Sequence, residues 1–118
     1  MKSEIKYFHS ADVDNLETFL PTEIDNFGIS VEMNIGPKNG QGDEIFNFVW
    51  YTPKWLTLKN RKDDIIFGRH YIISFEYNFQ KLKRKLEEFV EKLEEENWDV
   101  LAEKISRIAL WEFEDYIE

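Results

Sequence analysis

The chain has 118 residues, an aromatic content of 16%, no cysteine and a net charge of -9. A chain of this length fits one domain, residues 1–118, that buries about two-thirds of its unfolded surface, and its aromatic content argues against intrinsic disorder. The lack of cysteine excludes disulfides and thiolate nucleophiles, while the negative charge opposes binding to nucleic acid phosphates.

The hydropathy of the chain predicts neither a membrane span nor a signal peptide. No stretch approaches the roughly 18 to 20 apolar residues needed to cross a bilayer, and the N-terminus lacks the apolar core of a secretory signal. We therefore expect a cytosolic protein that does not contact a membrane.

Alternating hydrophobicity predicts strands in the first half of the chain. Residues 2–9 are the first candidate, and apolar side chains at alternate positions from Phe27 to Ile35 predict a second, half-buried strand. Three of the five glycines lie between Gly36 and Asp43, which indicates a hairpin loop. The next segment, from Ile45 to Tyr51, is apolar on both faces except at Asn47. This pattern predicts either a central strand covered on both sides or a strand that presents residues to a partner.

Pro53 is expected to end that strand, because proline cannot donate to a sheet ladder. Residues 54–60 are expected to form a short helix and residues 60–64 a turn. Alternation from Phe67 to Tyr77 then predicts another long strand. The sheet is expected to be antiparallel, because no helix long enough for a crossover separates the earlier strands.

Two helices are predicted after the sheet. Asn78 is expected to cap the first, whose apolar stripe runs from Phe79 to Leu93, and Asn97 to cap the second, whose stripe runs from Trp98 to Tyr116. The predicted fold is α+β, with an antiparallel sheet of about four strands packed against a C-terminal helical hairpin.

The charge of the chain is concentrated at its C-terminal end. Residues 1–86 hold 12 acids and 12 bases, whereas residues 87–118 hold 12 acids and only three bases. In the first helix, basic residues precede acidic ones, which is the reverse of what the helix macrodipole favours. The acidic side chains that face away from its apolar stripe are Glu87, Glu91, Glu94 and Glu95. They either bind a partner or keep the domain soluble.

No sequence pattern indicates a catalytic, cofactor or metal site. An enzyme would need His9 or His70 beside a carboxylate for acid–base work, but these two histidines, the only ones, are far apart in sequence, and such residues are more often structural than catalytic. The glycines from Gly36 to Gly42 lack the Lys-Ser/Thr of a phosphate-binding loop, and the pair Asp12-x-Asp14 is too short for a calcium loop.

Two features of the second predicted helix need an explanation. Leu110, Phe113 and Ile117 lie outside its stripe, so the helix is either buried on two sides, which we favour, or shows an apolar patch with an acidic rim. Glu112 lies inside the stripe. We expect it to be buried and to accept hydrogen bonds from a sheet group such as His70, Arg69 or an indole N–H.

Several short motifs carry a family resemblance. They are Tyr7-Phe8-His9-Ser10 before Asp12, Asn26-Phe27-Gly28, Ile35-Gly36-Pro37, the block from Phe46 to Leu56 with Thr52-Pro53-Lys54-Trp55-Leu56, and the run from Ile108 to Tyr116. In this order they resemble the immunity protein 8 family of bacterial polymorphic toxin and contact-dependent inhibition systems, over nearly the whole chain. The resemblance implies a non-catalytic cytosolic antidote without cofactors, which binds the C-terminal domain of a cognate toxin and blocks it.

The resemblance also guides the choice of binding residues. Such toxins are often nucleases with basic clefts, so an acidic surface is the expected complement. For the oligomeric state, we favour a monomer. The expected toxin-binding residues are Glu87, Glu91, Glu94, Glu95, Glu114, Asp115 and Glu118. The motif residues Trp55, Trp111, Glu112 and Phe113 are expected to be structural.

Two alternatives stay open. The acidic segment from Ser10 to Phe27, which has no basic residue, is either a partner-binding loop or a flap over the sheet. For the protein as a whole, the alternative to an antidote is a structural or adaptor subunit that self-associates through its sheet.

Overall fold

A five-stranded sheet with three helices forms the protein, and the computed structural model describes residues 1–59 and 65–114. The strands are β1 (Ser3–His9), β2 (Gly28–Pro37), β3 (Glu44–Tyr51), β4 (Tyr71–Ile73) and β5 (Leu110–Trp111). The helices are α1 (Pro53–Lys59), α2 (Phe79–Lys92) and α3 (Trp98–Ile105). The predicted α+β fold is confirmed. The turn expected at residues 60–64 lies outside the described residues.

The sheet is mixed, whereas an antiparallel sheet was predicted. Its strand order is β1-β2-β3-β4, and β5 also pairs with β3. The pairs β1–β2, β2–β3 and β3–β5 are antiparallel, but β3 and β4 are parallel. The connection between them spans residues 52–70 and includes α1. A parallel crossover needs roughly a dozen or more residues, so this connection is long enough.

The long strand predicted from Phe67 to Tyr77 is wrong. Only residues 71–73 pair with β3, and Phe67 and Phe75 are exposed. Ser74 ends the strand, because its hydroxyl accepts the Trp50 indole N–H at 2.8 Å and donates to the Glu76 carbonyl at 3.0 Å. These bonds turn the chain away from the ladder.

Both predicted helix caps are confirmed. The Asn78 side chain accepts a hydrogen bond from Lys81 N at 3.0 Å, and the Asn97 side chain accepts one from Val100 N at 3.0 Å. The second helix is shorter than predicted, since α3 ends at Ile105. The following residues form β5, which pairs with residues 46–47 of β3, whereas β4 pairs with residues 49–51.

The core lies between one face of the sheet and the helices α2 and α3. Its buried side chains include Ile29, Val31, Met33 and Ile35 of β2, Phe46, Phe48 and Trp50 of β3, Phe79, Leu86 and Val90 of α2, and Leu101, Ala102 and Ile105 of α3. Each large apolar side chain of this kind contributes about 1.5–3 kcal/mol when buried. Among residues 1–59 and 65–114, no helix is long and apolar enough to cross a membrane.

Candidate functional site

The acidic residues of α2 and α3 mostly lack an intramolecular partner. Seven carboxylates make neither a hydrogen bond nor an ion pair with any described residue, and we call this set the acidic face. Its members are Glu87, Glu88, Glu91, Glu94, Glu96, Asp99 and Glu103. All are exposed except Glu87, which is half-buried. Carboxylates left unpaired on an ordered surface are available to a partner of opposite charge.

The acidic side chains of the first half of the chain, in contrast, mostly have a partner within the protein. Within residues 1–59, every one except Asp14 has a hydrogen-bond or ion-pair partner. Lys54, for example, pairs with Glu23 at 2.5 Å and Asp25 at 3.6 Å. The hydrogen bond from Lys54 lowers the pKa of the Glu23 carboxyl below its usual value. The unpaired negative charge therefore collects on α2, on α3 and on the residues between them.

The structure divides the residues predicted to bind a partner. Glu87, Glu91 and Glu94 belong to the acidic face. Glu95 forms an ion pair with Lys104, and Glu114 forms one with Arg69, so their carboxylates are already engaged. Asp115 and Glu118 lie outside the described residues.

Sequence reasoning left four members of the acidic face out of that set: Glu88, Glu96, Asp99 and Glu103. Asp99 and Glu103 are like charges four residues apart in α3, a spacing that could have signalled an exposed acidic surface. Glu88 is less obvious, because Arg84 and Lys92 stand four residues away on either side. Neither forms an ion pair with it in the described part of the chain.

The backbone under the acidic face is tied to the start of β1. The buried Ser3 hydroxyl donates to Val90 O at 3.1 Å. The Met1 ammonium donates to Glu95 O at 2.8 Å, and Glu95 N donates to Met1 O at 3.0 Å. These bonds tie the segment from Val90 to Glu95, which carries Glu91 and Glu94, to the N-terminal end of the chain.

Glu112 is exposed, so the prediction that it is buried is wrong. Its carboxylate accepts a hydrogen bond from Ile45 N at 3.0 Å, and its own N–H donates to Ile45 O at 3.0 Å. The donor is therefore a sheet group, as predicted, but it is the backbone of β3 and not His70, Arg69 or an indole. The reason is that α3 ends before this residue, so Glu112 follows β5 and does not lie in a helical stripe.

The indole N–H groups bind another carboxylate, Glu44, which sequence reasoning missed. Both the Trp98 and the Trp111 indoles donate to Glu44 Oε1, the second at 3.2 Å. Trp111 also stacks on Phe46, with ring centroids 6.3 Å apart. Alternation along β3 was the available signal, because Glu44 falls on the same side of the strand as Phe46.

The other predicted structural residues lie at the margins of the core. Trp55 is half-buried and packs beside Tyr51, with ring centroids 5.8 Å apart. Phe113 is exposed and contacts Trp111 edge-on, with centroids 6.1 Å apart. Leu110, on β5, is 40% exposed. Burial on two sides is therefore wrong for Leu110 and Phe113, and Ile117 lies outside the described residues.

The segment from Ser10 to Phe27 packs over the edge of the core, as the flap interpretation predicts. Leu16 and Phe27 are buried, and the buried Tyr77 hydroxyl donates to Leu16 O at 2.6 Å. Burial raises the pKa of Tyr77 to about 12. Leu20 is nevertheless 84% exposed, so the segment also presents an apolar side chain to solvent.

The two histidines each have partners inside the protein. His9 pairs with Glu32 across β1 and β2. His70 Nε2 lies 2.8 Å from Ser106 O and 2.9 Å from Arg69 Nε, so it donates to the first in one tautomer or accepts from the second in the other. Within the described residues, no group of three or more His, Asp or Glu is arranged to hold a metal ion.

The sequence model of the family described as Immunity protein 8 matches residues 3–116. No curated protein and no solved structure matches the chain.

Proposed function

The chain belongs to the immunity protein 8 family, and we propose that it binds the C-terminal domain of a cognate polymorphic toxin and neutralises it through the acidic face. The observation that supports this proposal most directly is that the carboxylates of this face have no partner within the described residues. The binding residues proposed from the sequence and exposed for contact are Glu91 and Glu94, with the half-buried Glu87 beside them.

A basic toxin domain is the partner that fits this charge. A nuclease must bind a polyanion, so its cleft is rich in Lys and Arg. A rigid array of carboxylates can occupy such a cleft in place of the substrate phosphates. Opposite charge on the two proteins would also steer them together and speed their association. We accordingly propose a nuclease toxin, blocked in the cytosol by a monomeric immunity protein that performs no catalysis itself.

The charge order of α2 supports selection for binding. Lys81, Lys83, Arg84 and Lys85 lie in its first turns, whereas Glu91 and Glu94 lie at or beyond its last turn. Lys81 in the first turn and Glu91 in the last turn oppose the macrodipole, at a cost of about 0.3–1 kcal/mol each, whereas Lys92 in the last turn agrees with it. A helix that retains such costs is serving a purpose other than its own stability.

Coexpression tests the proposal directly. The C-terminal domain of the protein encoded immediately upstream of this gene would be expressed with and without the immunity protein, and cell survival and copurification would be scored. We expect toxicity of that domain alone, and rescue together with a 1:1 complex when both are present. An upstream domain that is harmless and does not copurify would contradict the proposal.

Self-association through the sheet remains the second candidate function. On the face of β3 opposite to the core, Ile45 and Val49 are only half-buried. Tyr71 and Leu110, at neighbouring register positions on β4 and β5, are exposed. Sedimentation at increasing protein concentration separates the two cases, because a strictly monomeric profile would remove this candidate.

A further inference from the structure

A groove of about 450 Å³ runs along the open edge of β1. Six consecutive residues of the chain, 5–10, line it. Successive side chains of a strand point to opposite faces of the sheet, so one face cannot supply six neighbours in a row. The groove therefore follows the strand edge itself, where backbone groups are accessible. We call it the β1 groove.

The pairing of β1 with β2 shows which backbone groups of β1 face β2 and which face this groove. Pro37 stands opposite Ser3 and has no N–H to donate. Lys38 N donates to Lys2 O at 2.9 Å. Hydrogen-bonded positions alternate along an antiparallel ladder, so Gly36, two residues before Lys38, is also a bonded position of β2.

The same alternation continues along β2 past a register shift between Ile5 and Tyr7. The bonded positions of β1 are therefore Glu4, Tyr7 and His9, which pair with Gly36, Asn34 and Glu32. The backbone groups of Ile5 and Phe8 consequently point away from β2, towards the groove. Within the described residues, no other backbone group bonds to them.

The walls of the β1 groove carry carboxylates that have no partner among the described residues. One wall is the segment that contains Asp14 and Glu17, and the other is α2, with Phe79, Lys83 and Glu87. Asp14 and Glu87 have no partner, whereas Glu17 lies 3.9 Å from Lys83. The remaining lysine, Lys6, donates to the Gly40 and Gly42 carbonyls at 2.7 and 2.8 Å. Both lysines are thus engaged, while two carboxylates are not.

We propose that the β1 groove receives an extended, basic segment of the toxin domain, which adds to the sheet as a new strand beside β1. The inference rests on the proposed function, because it takes the toxin domain as the partner. The Ile5 and Phe8 backbone groups would bond to the added strand, and Asp14 and Glu87 would select Lys or Arg at its facing positions. Glu87 also belongs to the acidic face, so the groove and that face form one continuous surface.

Only the start of the β1 edge, which the added strand would not use, is protected against pairing. A backbone bridge between Lys2 and Glu94 covers its start. No comparable bridge covers residues 5–9 in the described part of the chain, and Tyr7 is 66% exposed. Proteins usually block a free strand edge against unwanted pairing, so an edge left open beside unpaired carboxylates fits a binding role.

Amide hydrogen exchange, read by NMR on the immunity protein alone and mixed with the C-terminal domain of the upstream protein, tests this inference. The Ile5 and Phe8 amides should exchange fast in the free protein and at least about tenfold more slowly in the complex. The Tyr7 and His9 amides, which bond to β2, serve as internal controls and should be protected in both states.

Matched charge reversals provide a second readout. Asp14→Lys changes the groove without changing the acidic face, and it should weaken the complex about tenfold. Glu76→Lys makes the same charge change at an exposed site outside both surfaces and should have little effect.

The outcomes separate the two proposals. A complex that forms while Ile5 and Phe8 keep exchanging fast would overturn the groove and leave the proposed function standing. Protection of both amides in the free protein, increasing with concentration, would assign the edge to a second copy and overturn the groove as well. If no complex forms with the upstream domain, the proposed function fails, and this inference fails with it.

Discussion

Glu44 on β3 accepts a hydrogen bond from the Trp111 indole on β5 at 3.2 Å. The same oxygen, Oε1, also accepts the indole N–H of Trp98 on α3. One carboxylate therefore joins the end of the sheet to α3 and to the segment that follows it. This contact holds α3, which carries Asp99 and Glu103 of the acidic face, against the core.

Replacement of Glu44 should destabilise the protein more than replacement of an acidic-face residue. Hydrogen bonds to charged groups contribute about 1.5–3 kcal/mol, so Glu44→Ala should lower the free energy of unfolding by about 2–3 kcal/mol. Glu44→Gln retains an acceptor oxygen and should cost less. Urea denaturation followed by tryptophan fluorescence measures both changes.

Glu103→Ala is the matched control and should stay within about 0.5 kcal/mol of the wild type. Equal effects at positions 44 and 103 would contradict the anchoring role.

Gly28 is required because Trp55 lies directly over it. A Cβ atom built at this position would overlap the indole ring of Trp55. Gly28→Ala should therefore lower the free energy of unfolding by about 1–3 kcal/mol, since the ring must move out of its contact with Tyr51. Thermal and urea denaturation would measure the loss.

Two further variants show whether the overlap is the cause. Gly68→Ala adds the same methyl group in open space and should be nearly neutral. Adding Gly28→Ala to a Trp55→Ala background should cost much less than it does in the wild type. An equal cost in both backgrounds would place the strain elsewhere.

Local patterns predicted much of this fold, because they reflect the nearest contacts of each residue. Alternation located β2, an apolar run located β3, and the Asn78 and Asn97 side chains marked both helix starts. The parallel pairing of β4 and the existence of β5 could not be predicted in this way. They depend on which part of the β3 edge is free, and that is a property of the assembled sheet.

The candidate surface shows the same limit. The sequence placed Glu87 and Glu91 on the polar side of α2, and it included Glu94, which is exposed just beyond the end of that helix. It could not show that Glu95 pairs with Lys104, nine residues away, or that Glu114 pairs with Arg69, 45 residues away. Such long-range pairs decide which carboxylates remain open. The edge orientation of Ile5 and Phe8 likewise requires the register of β1 against β2.

Tyr77 should make stability depend on pH in the alkaline range. Burial raises the pKa of its phenol to about 12, whereas an unfolded tyrosine titrates near pH 10. The folded state therefore favours the neutral phenol. Its contribution is complete below about pH 10 and is lost as the pH rises towards 12.

Tyr77→Phe removes this contribution together with the hydrogen bond to Leu16 O. The variant should be less stable by about 1–2 kcal/mol at pH 7, and its difference from the wild type should shrink between pH 10 and 12. Tyr7→Phe, at an exposed position, should be nearly neutral at pH 7. A gap between wild type and Tyr77→Phe that stays constant up to pH 12 would contradict the role of the buried phenol.

Charge reversal at Glu91 should affect stability and binding in opposite directions. Glu91 lies in the last turn of α2, four residues after Glu87 on the same helix. Glu91→Lys replaces this unfavourable pair with a favourable one and matches the macrodipole, so it should stabilise the free protein by about 0.3–1 kcal/mol. The same change should slow association with the upstream toxin domain at low salt, and much less near 1 M salt, where the Debye length is about 3 Å. Stopped-flow mixing at the two salt concentrations and urea denaturation measure the two effects.

Glu76→Lys, just before the start of α2, carries the same charge change and should leave association nearly unchanged. If Glu91→Lys stabilises the protein but associates as fast as Glu76→Lys, the acidic face is not the surface that meets the toxin.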